Sequence, residues 1–253
     1  MRVVSGRPAS ASTQEELAMT DEEFSGRTVV VTGGTGALGR GAVELLLARG
    51  ASVRVPCFDP QELEACSWRD AAGVQVVEGV DLADEAQVRA FFDEGPAPFA
   101  SVHVAGGFAF TPLEDVDVDI LEHQLRMNTA TCLLCCKAAA ARMTAAGEGR
   151  IVNVSARPAL EARRGAKLSA YVVAKAGVAA LTELLAEELL ERGILVNAIA
   201  PSVIDTPGNR EAMADADFSR WVTPADAAEV VAFLASPRNR VVSGALVPVY
   251  GRA

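Results

Sequence analysis

Short apolar runs alternate with longer amphipathic segments along the chain from residue 27 onward. The short runs predict buried strands, and the segments with apolar residues three and four positions apart predict helices. The predicted strands are Thr28–Val31, Ala51–Val55, Val74–Val77, Phe99–Val104, Arg150–Val154, Ile194–Ala198 and Ala245–Val249. The predicted helices are Ala37–Arg49, Ala83–Asp93, a long helix within Leu113–Ala146, Ser169–Arg192 and Pro224–Ala235. Apolar strands separated by helices indicate an α/β fold, a single Rossmann-like doubly wound parallel sheet with helices on both faces.

Two stretches lack this pattern. Residues 1–25 are polar and small without a period, and we expect them to form a flexible N-terminal extension to a single domain over residues 26–253. Residues 201–223 are rich in Pro, Asp and Asn, and we expect them to form a lid that orders when ligand binds.

The charge balance excludes several classes of protein. The formal net charge is −10, and the densest basic cluster, Arg163, Arg164 and Lys167, is too short for a nucleic-acid surface. The most apolar stretch, Thr129–Ala141, contains Lys137 and falls short of the ~18 residues of a membrane span. No secretory signal is recognisable. We therefore expect a cytoplasmic protein that binds a small-molecule substrate, with neither nucleic acid nor membrane as a partner.

Three of the five cysteines, Cys132, Cys135 and Cys136, lie together in a helical stretch. A metal site needs further ligands at suitable spacing, and the two histidines are His103 and His123. Packing of small apolar side chains is the favoured interpretation, so no metal site is expected.

A glycine-rich loop follows the first predicted strand directly and opens a helix. This context is typical of a dinucleotide site, because glycines let the backbone approach a pyrophosphate and the helix N-terminus offers free N–H groups. The candidate cofactor residues of this loop are Gly33, Thr35, Gly36, Ala37, Leu38 and Gly39.

The choice between NADH and NADPH stays open. The position that usually carries an acid for the ribose, at the end of the second strand, is Cys57. Asp59 could take its place or could cap a helix. Arg40 and Arg54 are candidate donors to a 2′-phosphate.

Tyr171 and Lys175 stand four residues apart, so they share one face of a predicted helix. A neighbouring ammonium group favours the phenolate and is expected to lower the pKa of the tyrosine. Such a phenol could act as the general acid toward an oxygen whose carbon receives hydride.

Together these motifs resemble the short-chain dehydrogenase/reductase family over about residue 26 to the end. The T-G-x-x-x-A-x-G loop at 32–39 and the Y-x-x-x-K of Tyr171 and Lys175 match the family's motifs. The resemblance implies cofactor contacts for Tyr171 and Lys175, and for Asp81, Leu82, Ala105, Gly106, Pro201, Val203 and Thr206. It also implies that Asn128 supports a proton-relay water, and it places His103 where the family has the first Asn of N-N-A-G.

One catalytic position departs from the family. The family's serine, which bonds the substrate carbonyl, is replaced by Ala156. Ser155 or a loop group could substitute, or the site could work without that hydroxyl. Losing one such donor costs ~2.7–4 kcal/mol in a reaction that needs it.

A narrower resemblance is to the dihydropteridine reductase-like branch, which also lacks the serine. It rests on residues 104–108, 205–221 and 239–249. It implies reduction of a quinonoid C=N or a C=O by NAD(P)H, with Tyr171 as proton donor. The residues expected to line or cover the substrate pocket are Ser155, Phe108, Asn209, Arg210 and Trp221, although Trp221 could equally be a core anchor.

Two alternatives remain open at this stage. The first is a general carbonyl or 3-oxoacyl reductase, and the second is a regulatory protein that binds the cofactor without turnover. The Ala-rich faces of Leu113–Ala146 and Ser169–Arg192 suggest a homodimer or homotetramer.

Overall fold

The computed structural model describes residues 22–252. Within this range lie seven strands: β1 (Thr28–Thr32), β2 (Ser52–Cys57), β3 (Val74–Glu78), β4 (Ala100–His103), β5 (Gly149–Val154), β6 (Ile194–Pro201) and β7 (Leu246–Val249). The eight α-helices of the described range are α1 (Ala37–Ala48), α2 (Glu85–Asp93), α3 (Val118–Gln124), α4 (Thr131–Ala146), α5 (Arg157–Leu160), α6 (Ser169–Glu188), α7 (Pro207–Ala212) and α8 (Pro224–Ala235). A π-helical turn, Leu125–Ala130, joins α3 to α4.

The strands form one sheet in the order β3-β2-β1-β4-β5-β6-β7, and every neighbouring pair is parallel. One hydrophobic core lies between the sheet and helices α1 and α8, and a second lies between the opposite face and helices α2, α4 and α6. This confirms the predicted doubly wound parallel sheet. The chain order reverses between β1 and β4, and ligands of such sheets bind at the carboxyl ends of the strands beside that point.

The folded domain begins earlier than the predicted boundary at residue 26. Phe24 is fully buried, and its N–H donates to the carbonyl of Arg49. Glu23 forms an ion pair with Arg49 at 3.1 Å. Residues 22–25 therefore belong to the domain, because they cover its core, whereas the rest of the predicted extension lies outside the described residues.

Helix α6 is the one helix within residues 22–252 that is long and apolar enough in composition to cross a membrane. The stretch expected from the sequence to be the most apolar, Thr129–Ala141, lies instead in the π-helical turn and α4. The buried face of α6 includes Lys175 and Thr182 as well as alanines, and the helix packs on β6. This arrangement is typical of a core helix that carries functional side chains.

Candidate active site

The loop between β1 and α1 is shaped for a phosphate group. Gly33 has a φ of +64°, and a Cβ there would lie 2.6 Å from the backbone nitrogen of Ala105. A Cβ at Gly39 would lie 2.0 Å from the carbonyl oxygen of Gly33. Gly36 begins α1 without a side-chain cap, which leaves N–H groups of the first helical turn for a ligand. The loop predicted from Gly33 to Gly39 therefore fits a dinucleotide pyrophosphate.

The corner beyond β2 is lined by carboxylates. Cys57 is buried, and burial together with Glu62, Glu78 and Asp59 raises the pKa of its thiol to about 11. The Thr35 hydroxyl of the phosphate loop donates to the Glu62 carboxylate. Glu62 was not predicted from the sequence, because it lies in the short 3-10 helix Pro60–Ala65 and has no α-helical or strand pattern around it.

The other residues considered for the ribose are otherwise engaged. Asp59 accepts from the N–H of Gln61 at 2.9 Å, which confirms the helix-cap alternative. The Arg54 side chain lies between β2 and α2. The residue is 5% exposed, and its guanidinium donates to the carbonyl of Phe91. The hypothesis that Arg54 meets a 2′-phosphate is wrong, because its side chain is buried away from the strand ends. Arg40 donates to the carbonyl of Ala65 at 3.0 Å.

Asp81 and Leu82 follow β3, at the same edge of the sheet. One Asp81 oxygen accepts from the N–H of Ala83 at 2.8 Å, and the other lies 3.7 Å from the Arg126 guanidinium. Leu82 packs against the core on the α2 side. The turn is thus rigid, and the adenine contact of the two residues stays a prediction.

Asn128 holds the loop that follows β4. Its side chain accepts from the N–H of Gly107 at 3.2 Å and donates to the carbonyl of the same residue at 3.1 Å. A Cβ on Gly106 would lie 2.5 Å from the Asn128 oxygen and 3.2 Å from the Lys175 nitrogen. Gly106 therefore lets this loop approach Lys175. The water relay proposed for Asn128 stays a prediction.

Lys175 is buried on α6, and its ammonium group donates to the Val154 carbonyl at 2.8 Å. Burial lowers the pKa of Lys175 to about 8, while the thiol of Cys132 opposes that shift. Burial raises the pKa of Tyr171 to about 12. The expectation that Lys175 lowers the tyrosine pKa is therefore wrong in this structure, because loss of water around the phenol dominates.

Phe108 borders the tyrosine, as predicted for a pocket residue. Its ring centroid lies 5.0 Å from that of Tyr171 with the planes tilted by 71°. The Phe108 side chain is 64% exposed, so one of its faces remains open beside the phenol.

Ser155, the neighbour of Ala156, does not supply a hydroxyl in place of the missing serine. Ala156 is extended and buried at the start of α5. The Ser155 hydroxyl donates to the Lys175 main-chain carbonyl at 2.9 Å, and the residue is 2% exposed. This contact joins β5 to α6, so the geometry gives Ser155 a positioning role and does not support a substrate contact.

The segment after β6 brings the predicted nicotinamide residues together. Pro201 ends β6, Val203 accepts from the N–H of Val222, and Thr206 caps α7 by accepting from the N–H of Asn209. Accepting this bond leaves the Thr206 hydroxyl proton available to a carboxamide. The cofactor contacts of these residues stay predictions.

Two predicted substrate residues are used within the lid itself. The Asn209 amide donates to the carbonyl of Ile204 at 2.8 Å. Arg210 binds Asp205 through two nitrogens and covers the ring of Phe218 at 4.9 Å. Both side chains therefore stabilise the lid, and contact with a substrate stays a prediction.

Trp221 lines a cavity of about 380 Å³ together with Arg164, Asp217 and Arg220. From the sequence, Trp221 could either line the substrate pocket or anchor the core. The structure places it at a cavity wall, half-buried, against the ring of Phe218. Arg164 and Arg220 were missed, because charged residues in loops carry no periodic signal.

A buried polar cluster lies below the loop after β4. His103 pairs with Ser101 at 2.8 Å and with Asn153 at 2.9 Å, and the Cys136 sulfur lies 3.4 Å from its ring. The ligand-type atoms of His103, Cys132 and Cys136 lie within 4.8 Å of one another. The prediction that these cysteines simply pack was incomplete, because His103 is remote in sequence and joins them only through the fold.

Comparison with known proteins places the chain among dehydrogenases and reductases. A family model described as enoyl-(acyl carrier protein) reductase matches residues 34–251. The chain is 36% identical to cis-4-hydroxycyclohexanecarboxylate dehydrogenase of Sinomonas cyclohexanicum, over 91% of this chain and 97% of that protein. It is 33% identical to galactitol 2-dehydrogenase of Rhizobium johnstonii, over 89% and 94%.

A solved structure described as a short-chain dehydrogenase/reductase family protein superposes with a TM-score of 0.83. It is 31% identical and covers 90% of this chain and 97% of its own. The parallel sheet with helices on both faces agrees with this neighbour. The chain belongs to the short-chain dehydrogenase/reductase family of NAD(P)-dependent oxidoreductases.

Proposed function

We propose that the protein is a dehydrogenase that interconverts a secondary alcohol and a ketone on a small, ring-containing substrate. The main support for this proposal is that Tyr171 and Lys175 lie on adjacent turns of α6, with the loop that contains Gly106 packed against Lys175. The hydroxycyclohexanecarboxylate dehydrogenase among its relatives supports a ring-containing substrate, and the galactitol 2-dehydrogenase supports a secondary alcohol.

The residues of the chain divide the work between holding and proton transfer. When bound, a nicotinamide cofactor supplies the hydride-transfer chemistry. The loop from Gly33 to Gly39 would hold its pyrophosphate, and Lys175 would hold its ribose. Tyr171 keeps its proton at neutral pH because burial raises its pKa to about 12. It can therefore donate that proton to a carbonyl oxygen during reduction, which leaves Tyr171 as a phenolate. Oxidation runs the same step backwards: Tyr171 first loses its proton to solvent, and the phenolate then accepts the alcohol proton.

Ala156 is the observation that favours a second candidate, the dihydropteridine reductase-like reaction. A quinonoid C=N that is protonated by Tyr171 would have no need of the serine hydroxyl. The general reaction stands first, because the relatives' names describe alcohol oxidation. A 3-oxoacyl reductase is a variant of that general reaction.

NADH is the cofactor we propose. The 2′-phosphate of NADPH would bring about two negative charges to the corner occupied by Asp59, Glu62 and Glu78. A ribose diol, in contrast, can donate to the Glu62 carboxylate, which already accepts from the phosphate loop. Electrostatic repulsion and hydrogen bonding therefore favour the same cofactor.

A substrate panel tests the proposal. Purified protein with NAD⁺ is assayed against cyclic secondary alcohols and galactitol. The reverse reaction is assayed with NADH against quinonoid dihydropterin and a 3-oxoacyl thioester. We expect the cyclic alcohols to give the highest kcat/KM. Fastest turnover of the pterin would replace the first candidate with the second, and no turnover of any compound would contradict both.

A further inference from the structure

The cavity beside Trp221 is bounded by two segments that both lead to the active site. Arg164 ends the turn Ala162–Arg164, in the loop before α6. A Cβ on the next residue, Gly165, would lie 2.6 Å from the Val172 side chain, so this loop touches the helical turn that carries Tyr171. The opposite wall contains Arg220 and Trp221.

That opposite wall is connected to the segment of Thr206. The N–H of Asp205 donates to the carbonyl of Val222 at 2.8 Å, and the N–H of Val222 donates to the carbonyl of Val203. A molecule in the cavity would therefore contact both the loop before α6 and the segment that follows β6.

The cavity walls carry an excess of positive charge. The lining contains two guanidinium groups, Arg164 and Arg220, and one carboxylate, Asp217, in a chain whose net charge is −10. The Asp217 carboxylate accepts from both the N–H and the hydroxyl of Ser219, which lowers its pKa and directs one of its oxygens to its own turn.

The arginines retain binding capacity. Arg220 uses Nε to donate to the Arg252 carbonyl at 2.8 Å, and Arg164 lies 3.8 Å from the Glu161 carboxylate. A guanidinium has five N–H donors, so each side chain can also bind a ligand carboxylate in the two-pronged geometry that arginine favours.

Trp221 adds an apolar surface to these charges. Its indole packs on Phe218 at a centroid distance of 4.8 Å with the ring planes inclined by 52°, and Arg210 covers the ring of Phe218 at 4.9 Å. The indole is therefore held in place by the lid. A flat apolar wall beside two guanidinium groups suits a hydrocarbon ring with an acidic substituent.

We propose that this cavity is a carboxylate subsite: Arg164 and Arg220 bind the carboxylate of the substrate while Trp221 packs on its ring. The inference rests on the proposed function, since it names the group that the alcohol substrate carries at the end remote from Tyr171.

A matched pair of substrates tests the subsite. The pair is cis-4-hydroxycyclohexanecarboxylate and the corresponding carboxamide, which keeps the shape and removes the charge. We expect kcat/KM to be at least about tenfold higher for the carboxylate. Arg164→Gln and Arg220→Gln should each reduce kcat/KM for the carboxylate by about tenfold or more and leave kcat/KM for the carboxamide nearly unchanged.

Two further variants sharpen the test. Arg163→Gln removes a neighbouring charge that does not line the cavity, and it should change neither value. Asp217→Asn keeps an oxygen for the Ser219 contacts and removes the opposing charge, so the KM for the carboxylate should fall. Equal kcat/KM for the two substrates in the wild-type protein would overturn the subsite and leave the alcohol dehydrogenase intact.

Binding without turnover separates the two proposals. Calorimetric titration of the NADH-loaded protein with cyclohexanecarboxylate should give binding that Arg220→Gln abolishes and Arg163→Gln retains. If neither alcohol is oxidised, the proposed function fails, and this titration alone decides the subsite. Absence of binding, or equal binding of the carboxamide, would overturn it.

Discussion

The Lys175 ammonium group donates to the main-chain carbonyl of Val154 at 2.8 Å, so the last residue of β5 fixes the lysine of α6. Ser155 strengthens the same junction by donating to the carbonyl of Lys175. The Lys175 side chain is therefore held at the carboxyl ends of the strands and is buried from water. Burial removes the hydration of its ammonium group, and the resulting loss of stability can be measured.

The stability of the protein should depend on pH through Lys175. Burial lowers its pKa from 10.5 to about 8, so between these values the unfolded chain holds a proton that the folded chain has released. The free energy of unfolding therefore rises with pH across that window. Relative to Lys175→Met, the wild-type protein should gain up to ~3 kcal/mol between about pH 7 and about pH 10.

Urea unfolding of both proteins without added cofactor measures this difference. Tyr171 is common to both, so its raised pKa cancels in the comparison. A difference that stays constant with pH would show that the lysine is not desolvated.

Cofactor preference should respond to Glu62. We expect the wild-type protein to bind NADH at least about tenfold more tightly than NADPH, because a 2′-phosphate meets several carboxylates. Glu62→Gln should reduce this preference for NADH over NADPH, and Glu62→Lys should reduce it further. Fluorescence titration gives both dissociation constants.

Glu64→Gln is the matched control, since Glu64 is exposed on the same short turn. It should leave the ratio unchanged. Equal affinities for the two cofactors in the wild-type protein would refute the assignment to Glu62.

The hydrogen bonds of His103 should contribute strongly to stability. His103→Ala would remove the buried partner of the Ser101 hydroxyl and one of the two contacts of the Asn153 oxygen, and it would open a cavity. We expect a loss of about 2–4 kcal/mol in the free energy of unfolding. His123→Ala, at the exposed second histidine, should stay within about 0.5 kcal/mol. Similar losses for the two variants in urea unfolding would contradict this account.

Association of chains should use the exposed apolar residues of the long helices. Leu133 on α4 and Val173 and Leu184 on α6 are 47%, 54% and 68% exposed. Light scattering should therefore give two or four times the chain mass of 26.4 kDa. Leu184→Glu should lower that mass, whereas Glu62→Gln should preserve it. A wild-type mass of one chain would refute the prediction.

The sequence was sufficient to predict the parallel sheet, the phosphate loop and the placement of Tyr171 and Lys175 on one helix. Apolar strands separated by amphipathic helices have few alternative folds, and Gly33 and Gly39 occupy positions where a Cβ would collide with the backbone. Residues four apart lie on the same face of a helix, so the spacing of Tyr171 and Lys175 places both side chains on one face of α6.

The remaining features depend on contacts between distant segments. Glu62 reaches Thr35, and His103 reaches Asn153, only because β1, β2, β4 and β5 are neighbours in the sheet. The pKa of Tyr171 depends on how much water packing removes, which the i,i+4 spacing does not reveal. Arg54 looked available because its burial against Phe91 is a tertiary property.

Proton transfer by Tyr171 is the central claim, and Tyr171→Phe tests it most directly. Turnover of a cyclic alcohol with NAD⁺ and the dissociation constant for NADH are measured for the wild-type protein, for this variant and for Tyr250→Phe, which alters the other tyrosine of the chain. We predict that Tyr171→Phe lowers kcat by about 10²–10⁴-fold with NADH affinity nearly unchanged, while Tyr250→Phe stays active. Turnover by Tyr171→Phe within about tenfold of the wild-type rate would contradict the account.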